Sequence, residues 1–217
     1  MSDLVKCERC PRLVAERQRI KLLFPGFHAA PVGSWGAARP LIWIVGLAPG
    51  LRGAGRTGKA FVGDASGQFL FASLHRTGLA TEADPQQSTL PHSRITNVVK
   101  CVPPGNAPST TEQQTCSSYL ASELSPFMSA RLRRPRAIVV LGTVAHRMVA
   151  RTLGIKASKF EHMAQQRVHE RLVLISSYHP SRLNVNTGRL TSTMLDAVFA
   201  CAAGHVRMRA TCSPGSI

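Results

Sequence analysis

The sequence predicts an α/β fold, a three-layer α/β/α sandwich around a central, mostly parallel, four-stranded sheet. Four short apolar runs rich in β-branched residues, 41–46, 94–99, 137–142 and 172–178, have the near-continuous hydrophobicity of strands buried on both faces. Helical patterns fall between these runs, and that alternation builds a parallel sheet covered on both sides, with function at the carboxyl ends of its strands. A chain of 217 residues with no internal repeat and no long low-complexity linker suits one full hydrophobic core. We therefore expect a single domain over 1–204 and a flexible tail over 205–217.

Each helix has its own signals. The stretch 67–77 places Phe69, Leu70 and Leu74 on one face and stops at Gly78. Ser109-Thr110-Thr111-Glu112 reads as a capping box that opens a helix to about Leu124, ahead of Pro126. Helices over 143–153 and 189–203 end at Gly154 and Gly204, and 81–93 reads as a polar surface loop.

Composition narrows the function. Hydrophobic residues make up 44% of the chain, and mean hydropathy is −0.01, values that exclude a largely disordered protein. The longest apolar run, 41–45, is far too short for a bilayer, and no charged-then-apolar leader opens the chain. Neither a membrane span nor a secreted disulfide scaffold is expected. The anomaly is charge: 27 Lys and Arg against 11 Asp and Glu leave a net +16. The basic residues are spread over 9–21, 52–59, 131–136 and 182–189 rather than gathered in a tail. An excess of that size points to a polyanion, and nucleic acid is the expected partner.

Four of the six cysteines suggest a metal centre. Cys7 and Cys10 form a C-x2-C followed by Pro11, Cys101 ends the second strand, and Cys116 lies in the first turns of the capped helix. A tight turn and a strand–helix connection can bring four thiolates together, and such a set suits either zinc or an iron–sulfur cluster. Cys201 falls on the apolar face of the last helix, and Cys212 lies in the tail without an evident role.

Gly53-Ala54-Gly55-Arg56-Thr57-Gly58-Lys59-Ala60 imitates two nucleotide-binding patterns. A P-loop needs Ser or Thr after its lysine, where this chain has Ala60, and both patterns must open a helix directly after a strand. This segment starts seven residues past the strand end, so both readings are rejected. Its glycines instead suggest a close backbone approach, with a DNA phosphate or a base as the candidate neighbour.

The remaining motifs stand at the predicted strand ends. They are Gly46-Leu47-Ala48-Pro49-Gly50, Phe61-Val62-Gly63-Asp64-Ala65-Ser66-Gly67, Asn97 with Pro103-Pro104-Gly105-Asn106, and His179-Pro180-Ser181-Arg182-Leu183-Asn184 followed by Thr187-Gly188-Arg189-Leu190-Thr191. In this order the chain resembles the uracil-DNA glycosylase superfamily over about residues 4–204, most closely its iron–sulfur families 4 and 5. Family 4 carries an acid in the first motif, where this chain has Leu47-Ala48. The segment 63–67 and the His-Pro-Ser motif are similar to family 5, the B-type enzymes.

The resemblance implies a DNA-repair glycosylase. It would hydrolyse the N-glycosidic bond of uracil and other deaminated bases, such as hypoxanthine and xanthine, in double-stranded DNA, leaving an abasic site. It implies a structural [4Fe-4S] cluster on Cys7, Cys10, Cys101 and Cys116. His179 would donate a hydrogen bond to the leaving base, and Asp64 at a helix N-terminus would orient water and oppose the positive charge on the sugar, with Asn106 helping to position that water. Phe61 would stack on the flipped base, Asn97 would read its amide edge, and Ala48 would line the pocket. Leu183 would enter the groove as an apolar wedge while Arg56, Arg182 and Arg189 contact DNA. A monomer in a prokaryotic cytoplasm, held on the nucleoid by its DNA, is expected. Two other readings are a strictly uracil-selective family 4-like enzyme and a catalytically idle iron–sulfur nucleic-acid-binding domain; Asp64, Asn106 and His179 together disfavour the idle domain.

Overall fold

The computed structural model describes residues 2–128 and 133–207. Its sheet has six strands: β1 (Trp35–Gly36), β2 (Ile42–Gly46), β3 (Ser93–Asn97), β4 (Arg136–Leu141), β5 (Gln165–His169) and β6 (Leu172–Ser177). They lie in the order β1-β3-β2-β4-β6-β5. The four predicted strands form the parallel centre, in which Gly46 pairs with Asn97 and Val140 with Ser176. The two extra strands correct the expected count of four, and both pair antiparallel at the edges. Neither edge strand has an apolar run to announce it. β1 is two residues long, and β5 reads Gln-Gln-Arg-Val-His because much of it faces water.

Alternation along the central strands divides the interior into two cores. Ile42, Ile44, Val139 and Ile175 face one side, while Trp43, Val45, Ile138 and Leu174 face the other. On the first side, Leu70, Phe71 and Leu74 of α4 (Ala65–Arg76) meet Leu195, Val198 and Phe199 of α8 (Ser192–Arg207). On the second, α2 (Pro11–Leu23), α5 (Thr110–Leu124) and α6 (Thr143–Thr152) contribute Leu13, Leu120 and Val149. The three-layer sandwich follows directly. The remaining helices are short: α1 (Ser2–Val5), α3 (Ala54–Thr57) and α7 (Arg182–Asn186).

Several boundaries move, each for a local reason. α4 starts at Ala65 because Asp64 caps it through Gly67 N–H. α8 starts at Ser192 rather than 189 and runs through Gly204 to Arg207; residues 208–217, with Cys212, lie outside the described residues. α2 has no counterpart in the sequence reading, although Pro11 at its first turn is a start signal. The 53–60 segment holds one short helix, α3, and two of its glycines make close internal approaches: a Cβ on Gly53 would meet the Asp64 carboxylate and one on Gly55 would meet Val102. No helix among the described residues is long and apolar enough to cross a membrane.

The predicted capping box on α5 is present in full. Glu112 N–H donates to Ser109 Oγ at 3.1 Å and Ser109 N–H to Glu112 Oε2 at 2.7 Å. Ser109→Ala is expected to cost about 1 kcal/mol of stability, read as a lower urea midpoint with an unchanged slope.

Candidate active site

The carboxyl ends of β2, β3 and β6 open onto one pocket of about 370 Å³. It brings together Ala48, Phe61, Asp64, Asn97, Asn106 and His179, all six residues expected to touch the base or the reacting bond. Leu47, Pro49 and Ala54 supply apolar wall, and Ser66 and Ser181 add hydroxyls. Ser181 was missed as a lining residue although it follows His179-Pro180 directly.

Asp64 divides its carboxylate between two tasks. Oδ1 accepts Gly67 N–H at 2.9 Å and closes the first turn of α4. Oδ2 lies over the 50–53 turn, where a Cβ on Gly53 would stand 2.1 Å from it and one on Gly50 3.3 Å. Only glycine at 53 leaves room for the carboxylate. The loop carrying Asp64 is tied down by Arg56, whose Nε donates to the Arg52 carbonyl at 3.1 Å and Nη2 to the Gly63 carbonyl at 3.2 Å. Thr57 Oγ1 adds a bond to the Val62 carbonyl at 2.9 Å. Arg56, expected from the sequence to contact DNA, also ties the 50–53 turn to the loop that leads into Asp64.

Phe61 occupies the left-handed region at φ 59°, an unusual conformation for a bulky residue and one that clusters at functional sites. Its ring lies over Gly46, where a Cβ would come within 2.6 Å of Phe61 Cζ and 2.5 Å of Asn97 Oδ1. The ring also meets the His179 imidazole, with centroids 5.9 Å apart at 36°. Asn97 is buried at the end of β3, and its Oδ1 has no hydrogen-bond partner. A buried acceptor left unpaired beside an open pocket is what an N–H from a ligand satisfies.

His179 follows β6. Burial pushes its imidazole down to about 4, and the opposing pull of the Asp64 charge does not restore it. The ring is neutral over the physiological range, with no hydrogen bond to it among the described residues. Asn184 Nδ2 donates to the His179 carbonyl at 2.8 Å, joining α7 to the catalytic strand end. Asn106, at φ 57° as the last residue of the 3-10 turn Pro104–Asn106, stands exposed at the rim.

The rim is basic and carries an apolar tip. Leu183, on α7, is 72% exposed, and Arg182 beside it is exposed. Arg189 stacks its guanidinium over the Tyr178 ring at 4.7 Å. A large exposed apolar side chain flanked by cations, four residues from His179, suits insertion into a stacked polyanion.

Cys7, Cys10, Cys101 and Cys116 line a second, small cavity between the start of α2, the 98–101 segment and α5. Burial pushes the Cys101 thiol up to about 12 and raises Cys116 and Cys10 as well. The Lys100 peptide N–H donates to Cys116 Sγ at 3.4 Å. Tyr119, hydrogen-bonded to Cys7, is itself raised to about 12. Buried thiols of this kind become ligands only when a cationic centre compensates the thiolates, and a four-thiol donor set fits such a centre. Among the described residues no three His, Cys, Asp or Glu side chains form a group that could hold one metal ion. Cys201 is half-buried against the first core, as its helix face suggests.

This sheet thus brings an acid and a neutral histidine together in one pocket at its strand ends. The model of the uracil DNA glycosylase superfamily matches residues 34–201. The chain is 41% identical over 216 residues to the type-5 uracil-DNA glycosylase of Pyrobaculum aerophilum, covering 94% of this chain and 90% of that one. It is 40% identical to the Mycobacterium leprae type-5 enzyme, covering 89% and 88%, and 37% identical to that of Thermus thermophilus, covering 89% and 91%. The chain belongs to the uracil DNA glycosylase superfamily and, within it, to the type-5 family.

Two measurements check this geometry. By NMR, the His179 ring should titrate with a midpoint of about 4, below the ordinary 6.5. The folded pKa is depressed, so the associated stability is present above the unfolded value and is lost as pH falls through the folded one. Gly53→Ala should leave the fold cooperative yet displace Asp64 and lower excision by at least about tenfold in single-turnover assays.

Proposed function

We propose that this protein is a monofunctional uracil-DNA glycosylase that acts on double-stranded DNA, removes uracil and the larger deaminated base hypoxanthine, and carries a [4Fe-4S] cluster on Cys7, Cys10, Cys101 and Cys116. The observation that carries the reading is the opposition of two groups across one pocket, the Asp64 Oδ2 over Gly53 and the neutral His179 imidazole. Cleaving a base from deoxyribose develops positive charge on the sugar and negative charge on the leaving base, and rate comes from stabilising both. Asp64 opposes the cation and orients the attacking water, with Asn106 at the rim completing the hold on that water. His179 donates its N–H to the base carbonyl, and because it starts neutral it stabilises the anion by hydrogen bonding without first needing a proton from solvent.

The flipped base lies on the Phe61 ring and gives an N–H to Asn97 Oδ1, a contact that satisfies a buried acceptor. A site of 370 Å³, with Ala48 where a larger side chain would narrow it, has room for a purine as well as a pyrimidine. Among the described residues no lysine lines the pocket, and Lys100 Nζ is fully engaged elsewhere, which supports water rather than an amine as the nucleophile and an abasic site as the product. The cluster supplies folding stability by joining α2, the 98–101 segment and α5.

Single-turnover excision from duplexes holding one uracil or one hypoxanthine, read by alkaline strand cleavage, tests the reading. Both bases should be released; release of uracil alone would support the narrower selectivity expected of an Asn97-read pocket. His179→Ala and Asp64→Asn should each lower the rate by about 10²–10³-fold with binding to DNA retained. Purified protein should be brown, with iron and acid-labile sulfide in equal amounts, and colourless protein would overturn the cluster assignment. Leu183→Ala should slow excision from duplex about tenfold more than from single strands, since only the duplex base must be flipped.

A further inference from the structure

Lys100 has no exposed surface, and its three ammonium protons meet three acceptors. Nζ donates to Thr96 Oγ1 at 2.5 Å, to the Asn97 carbonyl at 2.8 Å and to Glu123 Oε2 at 2.6 Å, while Thr96 Oγ1 donates to Glu123 Oε2 at 2.8 Å. A lysine buried this completely is expensive to hold, and replacing such an ion pair by apolar side chains is often neutral for stability. Its presence therefore invites an explanation other than stability.

The position of the clamp supplies one. Its side chain folds back three residues to hold the carbonyl of Asn97, whose carboxamide ends in the base pocket with Oδ1 unpaired. Its own peptide N–H sits on Cys116 Sγ, and Cys101 is the next residue. Val98 N–H and Val99 N–H reach the Gly46 and Leu47 carbonyls at 2.9 Å, so the turn also adjoins the first motif. One buried residue thus stands between the base-reading amide and the four-cysteine centre.

We propose that Lys100, locked by Glu123 and Thr96, is a positioning residue for base selection that fixes the Asn97 carboxamide in the pocket and ties its aim to the order of the four-cysteine centre. The proposal rests on the reading of Asn97 as the base-contacting amide. Loss of the clamp then frees the 97–101 turn. The pocket keeps its acid and its histidine but loses its hold on the base, so recognition weakens while the chemical step at saturation changes less.

The test is the double variant Lys100→Met with Glu123→Gln, which leaves no unpaired buried charge, measured beside wild type and Asn97→Ala. The readouts are inhibition by free uracil, the single-turnover rate at saturating enzyme, and iron content with visible absorbance. The expected result is free-uracil inhibition weaker by about tenfold, the worth of one well-made hydrogen bond, in both the double variant and Asn97→Ala. The saturated rate should fall less, and iron should be retained. Wild-type inhibition in the double variant with weakened inhibition in Asn97→Ala would overturn the clamp and leave the base reading standing. Wild-type inhibition in Asn97→Ala would overturn the base reading itself and the clamp with it. Should the double variant fail to fold, Thr96→Val removes one arm of the lock, and unchanged uracil inhibition there would equally overturn the proposal.

Discussion

The geometry of the pocket depends on how one carboxylate is shared. Asp64 Oδ1 accepts the Gly67 N–H that starts α4, and this bond aims Oδ2 across the 50–53 turn into the cavity. The helix packs Leu70, Phe71 and Leu74 into the core behind it, so the acid is anchored by the fold as a whole. Everything nearby accommodates that placement. Gly53 gives it room, Arg56 ties the segments on either side of it, and Phe61 takes a left-handed turn to lay its ring over Gly46. Capping and the proposed catalytic role thus fall to a single side chain, and neither can be altered alone.

Most of the centre of the molecule was legible because its signals are chemical and local. Buried parallel strands must be apolar on both faces, and β2, β4 and β6 are, so their runs stood out within a residue or so of their observed ends. The Ser109 capping box and the cysteine pair before Pro11 are also short-range patterns. Asp64, Asn106 and His179 sat at strand ends or before a helix, where the architecture collects function, and the resemblance to a known family assigned their roles.

What could not be read depended on partners far along the chain or on backbone. α2 buries only Leu13, Glu16 and Ile20 along thirteen residues, too sparse a stripe to stand out among its charges. β5 is an exposed edge with a polar sequence. The bonds of Arg56 to main-chain carbonyls could not be read either, since no residue type records them. Lys100 carries no local signal of its burial, since Glu123 lies a whole helix away and the closed lock exists only once α5 has packed.

The ion pairs have a consequence for how such a protein would move on its substrate. Five of the eleven acidic side chains are paired internally, by Arg12, Arg19, Arg76, Lys100 and Lys159, and Asp64 serves as a helix cap. Few anions are left over to interrupt the remaining cations, so the field they project is broad and carries little sequence information. A polymer of phosphates offers such a surface many near-equivalent resting places separated by low barriers. On the proposed duplex substrate, travel by sliding and short hops would replace repeated collision from solution, with ionic strength setting the length of each excursion. A rare lesion among intact base pairs would be met by that one-dimensional patrol, with the exposed Leu183, the proposed wedge, probing each step as it passes.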